Sequence, residues 1–323
     1  MRLFQKYAPV LLLLILAPWV GEYLLGNVPA GLLWAFPFLI PLYGGGALLI
    51  RETARRVARG YFPILLLGAA YGVVEAGLFD QSLFNLAFEG HDYRSTTTIS
   101  FLGVSAYHAM TFIVGHAVWS ITIPIAIAEM LTPSRKTEPW LGRTGLIVAI
   151  VLYLLGGWII FQDMQQREAF LASPMQRIGA GSCALLLIII ALASKKKTIA
   201  PSNRPVPRPL PLGVGTFILA CTYQFRPENW TGVVMGLFML LVSASLLIYW
   251  SAQMKWSVWH QFALVAGALP VYALNGFILT YLLRPDDTTA WIGNVAFAAL
   301  AILLLWLVAK TTRRHYAPDT GSQ

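Results

Sequence analysis

The chain is short of charge. Only 11% of its 323 residues are Asp, Glu, Lys or Arg, against roughly 25% in a soluble globular domain. So few charged side chains cannot coat a soluble fold of this length. Cysteine is scarcer still. Cys183 and Cys221 both lie inside apolar runs, form no CxxC pair and have no metal-ligand spacing. They read as small buried packing residues, and a disulfide scaffold is excluded. Also missing are a P-loop, dinucleotide-binding glycines, a haem attachment pattern and a nucleophile elbow. No polar stretch is long enough to make a separate soluble domain.

What the chain has is apolar length. Hydrophobic residues make up 57% of it, and its mean hydropathy is +0.66. A helix that spans a membrane needs about 20 mostly apolar residues. Ten runs qualify or come close: Tyr7–Leu25, Pro29–Ile50, Tyr61–Phe79, Phe101–Leu131, Leu146–Phe161, Ile178–Ala193, Leu210–Tyr223, Trp230–Trp250, Trp259–Leu283 and Trp291–Ala309. The fifth to seventh are short, and Pro209, Pro211, Gly213 and Gly215 crowd the start of the seventh. The first follows Arg2 and Lys6 but lacks a small-x-small cleavage site, so it reads as an uncleaved first helix. The expected fold is an all-α polytopic membrane bundle of about ten helices.

Charge orients it. With ten helices and both termini inside, 18 of the 23 Lys and Arg residues fall in inner segments and 5 in outer ones. That is the bias of the positive-inside rule, and one helix more or fewer would destroy it. The net charge of +9 is thus explained by topology and needs no nucleic acid partner. Residues 194–209, with Lys195-Lys196-Lys197 and the run RPVPRP, read as an extended cytoplasmic linker. It divides one membrane domain (1–323) into a six-helix front part (1–193) and a four-helix back part (210–309), followed by a polar tail (310–323). Beyond the second run, Arg51, Arg55, Arg56 and Arg59 read as a lipid-facing basic anchor, with anionic lipid head groups as partners. Glu52 is spaced to pair with Arg55 or Arg56. Seven tryptophans near run ends, Trp140 among them, read as an interfacial belt.

Ionisable groups inside spans are costly and mark sites. Glu75 lies in the third run, and His108, His116 and Glu129 in the fourth. Glu22, Glu52, Glu129 and His260 lie near interfaces and can snorkel. Glu75 and His116 remain as the central pair, because consecutive helices are often neighbours. His108, Phe112, His116 and Ser120 are spaced by four, so His108 and Ser120 support the pair from one helical column. Three readings follow. Glu75 is a general base on metal-held water, with His116 the metal ligand; or the cluster is a proton or substrate relay in a carrier; or its members satisfy one another as interhelical hydrogen bonds.

The segments Glu75–Asp80 and Phe112–His116 resemble the EExxxR and FxxxH motifs of CAAX-type intramembrane proteases. The resemblance implies an intramembrane metal-dependent hydrolase that uses Glu75 and His116, with zinc as its metal. It covers about 45 residues. Ala76 replaces the second glutamate, Asp80 stands where the arginine belongs, and no histidine occurs between His116 and His260. The incomplete ligand set favours a carrier or binding protein, with no cofactor, over an enzyme. More broadly, Pro41–Arg56 (PLYGGGALLIRETARR), Tyr71–Asn85 (YGVVEAGLFDQSLFN) and His116–Glu129 (HAVWSITIPIAIAE) are similar to bacterial multi-pass membrane proteins without an assigned activity. That implies a bacterial inner membrane and supplies no chemistry. Discontinuous helices mark substrate sites in many carriers. Pro37, Pro41 and Gly44-Gly45-Gly46 are placed to break the second helix, and Pro124 and Pro270 to kink the fourth and ninth.

Overall fold

In the computed structural model, residues 2–57, 60–194 and 203–316 are described. All ten expected runs form helices. Nine of those in the described residues are long and apolar enough to cross a membrane. They are α1 (Lys6–Leu24), α2 (Ala30–Arg56), α3 (Tyr61–Phe79), α4 (Ala106–Leu131), α5 (Arg143–Glu168), α6 (Pro174–Ala193), α8 (Trp230–Ser251), α9 (Val258–Leu283) and α10 (Thr288–Tyr316). The remaining helix, α7 (Pro209–Gln224), has 16 residues and so rises about 24 Å, less than the roughly 30 Å hydrocarbon core. It lies along α9 and is carried by that packing.

Three boundaries differ from those expected. Both α5 and α6 are longer than their apolar runs. The former continues through a polar last turn, where Arg167 pairs with Asp163 one turn earlier at 3.0 Å. The latter starts at Pro174, where Ser173 and Gln176 form a capping box. By contrast α4 starts late, because residues from Thr98 to Ser105 turn back as a short ladder of β1 (Thr98–Ile99) on β2 (Val104–Ser105). Gly103 has φ +66° in that turn, a backbone region open to glycine at no steric cost.

The interior is built by α1–α4 and α9. One hydrophobic cluster joins residues on both sides of the linker, from Leu13 and Val20 to Leu269, Phe297 and Val308. Most of α5, α6 and α8 faces outward. Cys183 is exposed on α6 and Cys221 is half-buried, so Cys183 is not the buried packing residue that its apolar neighbours suggested. Lipid is as apolar as a protein core, so hydropathy alone cannot separate the two faces of such a helix. Small residues bring α3 onto α4. A Cβ on Gly68 would lie 3.0 Å from the Cα and carbonyl oxygen of Ala117, and one on Gly72 would lie 3.0 Å from the Cα of Ile113.

At the basic end, α2 is bolted to α4 by charge. Arg51 is fully buried. Its Nε donates to Glu129 Oε1 (3.2 Å), Nη1 to Glu52 Oε1 (2.9 Å), and Nη2 to the carbonyls of Arg135 and Lys136 (3.1 Å each). Trp140 covers its guanidinium, with Cζ 3.6 Å from the ring centroid. Arg55 grips both Glu129 oxygens at 2.6 Å, and the Tyr61 hydroxyl donates to Glu129 Oε2 at 2.8 Å. Glu52 accepts from the backbone N–H groups of Trp140 and Leu141 (2.8 and 3.1 Å) and from Arg56 (3.3 Å). The expected lipid-facing anchor is therefore corrected. Arg51 and Arg55 point inward, Arg56 alone of the described three is partly exposed and donates to the Leu141 carbonyl (2.6 Å), and Arg59 lies outside the described residues. Glu52 and Glu129 do not snorkel, and Trp140 is not in an interfacial belt: all three are buried. The physical reason is the loop Thr132–Leu141, which folds back over the end of α2 and removes it from lipid and water. Lys195–Lys197 and residues 317–323 of the tail also lie outside the described residues.

Removing one member of a buried, paired charge set leaves the rest uncompensated and costs about 3–5 kcal/mol. Glu129→Gln is expected to lower the detergent unfolding midpoint by that order. Arg143→Gln, at an exposed position, serves as the control and is expected to leave the midpoint unchanged.

Candidate functional site

Each of α1–α4 contains one π-helical turn, and the four occupy Trp19–Leu24, Ile40–Gly44, Glu75–Phe79 and His116–Thr122. Three lie beside proline. Pro18 precedes the first, Pro41 lies within the second, and Pro124 follows the fourth. Proline lacks an amide proton and collides with the carbonyl four residues back, and a widened turn accommodates both. The turn in α3 has no proline and contains Gly77.

Each wide turn carries one protonatable side chain to the same place: Glu22 from α1, Tyr43 from α2, Glu75 from α3 and His116 from α4. His116 Nε2 lies 3.0 Å from Glu75 Oε2, so the pair singled out in the sequence is in direct contact. The contact is an ion-pair approach rather than an aligned hydrogen bond, and Glu75 Oε2 has no hydrogen-bond partner. On its other side His116 Nδ1 lies 2.8 Å from the Phe112 carbonyl. A carbonyl only accepts, so Nδ1 carries a proton. The Tyr43 hydroxyl lies 3.4 Å from His116 Nε2 and donates to Glu22 Oε1. Asn27 donates to Glu22 Oε2 at 2.7 Å. The chain of contacts thus runs Glu75, His116, Tyr43, Glu22, Asn27, from the middle of the bundle to the end of α1.

Aromatic rings line this chain. Tyr71 packs against Tyr43, His116 and Tyr153, with centroids 5.7–6.1 Å apart, and Phe79 meets Tyr153 edge-on at 5.8 Å. The Tyr71 hydroxyl is buried and unpartnered, within electrostatic reach of Glu75, Tyr153 and Glu22. The Tyr272 hydroxyl, from α9, lies over Gly115, where a Cβ would come within 2.9 Å of it. The His116 side chain keeps 15% of its surface open, and Phe79, Asp80 and Tyr153 are only half-buried.

The other expected residues lie elsewhere. His108 turns away, accepts or donates at Ser105 Oγ (3.0 Å) and stacks on Tyr93 at 3.9 Å. Eight residues of α-helix rotate its direction about 80° from that of His116, so the column spaced by four does not share one face. Ser120 packs under Gly21, where a Cβ would meet its Oγ at 2.7 Å. Glu129 belongs to the basic-end network. Glu22, Tyr43 and Tyr71 were not singled out in the sequence. Glu22 lies near a helix end, and a tyrosine in a span has no signature of its own. Prolines beside three wide turns were the available signal. Among the described residues no group of three His, Cys, Asp or Glu side chains is placed to hold a metal ion.

Asp80 closes the α3 turn. Its N–H donates to the Glu75 carbonyl at 3.0 Å, and its Oδ1 accepts from the Ser82 N–H at 2.9 Å. The chain then bends through Gln81 at φ 59°, a strained conformation for a non-glycine residue. Burial, with the Glu75 charge adding to it, holds the Asp80 carboxyl well above the usual carboxylate range. A carboxyl whose folded-state pKa is raised favours the neutral form on folding. Its contribution is fully present below the unfolded value of 3.8 and is lost as pH rises towards the folded value. Asp80→Asn is therefore expected to melt higher than the parent chain at neutral pH. The gap should close as pH falls to about 4. A variant that melts lower at pH 7 contradicts the assignment.

No curated protein and no solved structure matches this chain. A family model described as an uncharacterized membrane protein family matches residues 11–318, which takes in all four wide turns, the polar cluster and the basic-end network. Nine helices among the described residues that are long and apolar enough to cross a membrane agree with that near-complete match: the chain is a multi-pass membrane protein and belongs to this uncharacterized membrane protein family.

Proposed function

We propose that this protein is a proton-linked carrier of small molecules, with Glu75 and His116 as its proton-binding pair. One observation carries the reading. Four helices each contain a wide turn that helps bring Glu22, Tyr43, Glu75 and His116 into one contiguous cluster, and in that cluster the Tyr71 hydroxyl has no hydrogen-bond partner and Glu75 Oε2 is met only by the His116 imidazole at 3.0 Å. Wide turns recur at functional sites, and helices interrupted near the midplane are a common way to build a carrier's binding site. A purely structural cluster is expected to satisfy its own polar atoms in a membrane, where water is absent.

The proton chemistry follows from the atoms present. His116 Nδ1–H is committed to the Phe112 carbonyl. Nε2 and Glu75 Oε2 face each other across 3.0 Å and share one further proton. Either Nε2–H persists beside a carboxylate, or the N–H bond breaks, an O–H bond forms on Glu75, and the imidazole is left neutral. Tyr43 then offers its hydroxyl as the next stop towards Glu22. Asp80 stands at the opening of the cluster, where a proton leaves to or arrives from water.

A metal-dependent hydrolase is less well supported. Glu75 and His116 are adjacent, yet no third ligand among the described residues completes a metal set with them. The charge asymmetry and the three similar stretches support a bacterial inner membrane as its location. The partly exposed Arg56, which donates to the Leu141 carbonyl two residues before Arg143, is the place for anionic head groups.

The reading is tested by proton titration of the purified full chain, followed by carboxylic-acid infrared absorption. A carboxyl signal that changes as the shared proton is added or removed is expected, and both Glu75→Gln and His116→Ala should remove or displace it. If both variants titrate like the parent and only their melting points change, the cluster is packing and the carrier reading falls.

A further inference from the structure

We propose that the cargo of this site is a small organic cation, an ammonium group carried on a compact apolar body, and that it exchanges for the proton on the Glu75–His116 pair. The inference rests on the carrier reading above and adds the class of its substrate.

Three observations converge. The first is charge. Glu22, Glu75 and Asp80 share a single imidazole, since His116 lies within electrostatic reach of all three. The titratable groups facing the site are Glu22 from α1, Tyr43 from α2, Tyr71, Glu75 and Asp80 from α3, His116 from α4, Tyr153 from α5 and Tyr272 from α9. Three carboxyl groups therefore face one imidazole, so the site offers more oxygen acceptors than cationic donors, which suits a ligand that brings its own positive charge. The second is unspent polar capacity in two residues only 4% exposed. The Tyr71 hydroxyl has no hydrogen-bond partner, and Glu75 Oε2 is met only by His116 Nε2 at 3.0 Å without an aligned hydrogen bond. A carboxylate oxygen accepts through more than one lone pair, so a cation can take the place that the imidazole proton holds. The third is the wall. Tyr43, Tyr71, Tyr153 and Phe79 form a run of neighbouring rings beside those carboxyls. Ring faces attract cations, and aromatic cages with an acid nearby are a recurrent way to hold alkylammonium groups. A bare inorganic cation gains little from such a wall and needs more oxygen ligands. A neutral or anionic solute gains nothing from the excess of carboxyl groups.

Exchange follows from one carboxylate serving two cations. A proton held between Glu75 Oε2 and His116 Nε2 neutralises the oxygen that the ammonium needs. Binding the ammonium releases that proton to water, and protonation releases the ammonium. Apparent affinity should then rise with pH, by up to about tenfold per unit while one proton is displaced.

The test uses the full chain in detergent and three solutes of one size: tetramethylammonium, tert-butanol and trimethylacetate. Tetramethylammonium is expected to raise the melting temperature saturably, with an apparent Kd that tightens as pH rises. The neutral and anionic solutes should have no effect. Glu75→Gln should abolish the response. Tyr153→Leu, which keeps every carboxyl group, should weaken it by about 3- to 30-fold and covers the case in which Glu75→Gln does not fold. Equal responses to all three solutes, a response to the anion, or none at all overturns the inference. If Glu75 titrates as proposed and tetramethylammonium does not bind, only the cargo assignment falls. If tetramethylammonium binds without any dependence on pH, exchange is wrong and the proton-linked reading falls with it.

Discussion

Glu129 holds the fold's polar architecture together. In a bilayer no water is present to solvate a stranded charge, so two buried arginines one turn apart on α2 require an anion brought to them by another element. Glu129 supplies it from α4, and the loop after α4 supplies carbonyl oxygens and the Trp140 ring face. A charge network of this kind adds little net stability over a well-packed apolar core. Its effect is on register, since α2 can meet α4 at the basic end in only one way. With that end pinned, small differences in turn width along α1–α4 decide which side chains meet in the other half of the bundle.

That other half is built on opposite terms. At the basic end the charged groups face partners of opposite sign or backbone atoms, and Glu52 and Glu129 each accept several hydrogen bonds. At the cluster, wide turns replace regular α-helix, Gln81 stands in a strained backbone region, the Tyr71 hydroxyl lacks a partner, and Glu75 Oε2 is met only by the His116 imidazole. Such features destabilise a membrane protein, and selection tolerates them where function needs them. The contrast separates a network that holds position from one that is prepared for a ligand.

Much of this was legible in the sequence, and the limits were physical. Apolar run length located the helices, because spanning length follows from transfer into lipid. Glu75 and His116 stood out because few ionisable residues lie so deep in a span. Their contact was foreseeable, since Gly68 and Gly72 permit close approach of α3 to α4. Arg51, Arg55, Glu52 and Glu129 were misread because residues at a helix end can snorkel or turn inward at equal sequence cost. The fold-back of residues 132–141 decides between the two, and nothing local in that loop announces it. His108 was misassigned by a spacing of four applied over two turns, which drifts about 80°. Glu22, Tyr43 and Tyr71 were missed for a further reason. Their convergence depends on the wide turns, and a turn of that kind leaves only a nearby proline as its trace.

Turn width also bears on how the bundle moves. A wide turn has one residue more than its hydrogen-bond ladder needs, so it can shift along a helix without breaking the helix. Four such turns meet around the Glu75–His116 contact, on the side of the bundle away from the Arg51–Glu129 network. Moving the proton from Nε2 to Oε2 changes a charged pair into a neutral one inside a low-dielectric core, where that change matters most. The attraction that draws α3 and α4 together at this point then weakens, and the adjacent wide turns are the softest elements available to respond. The same four turns that set the local helix geometry also place Glu22, Tyr43, Glu75 and His116 in one contiguous cluster.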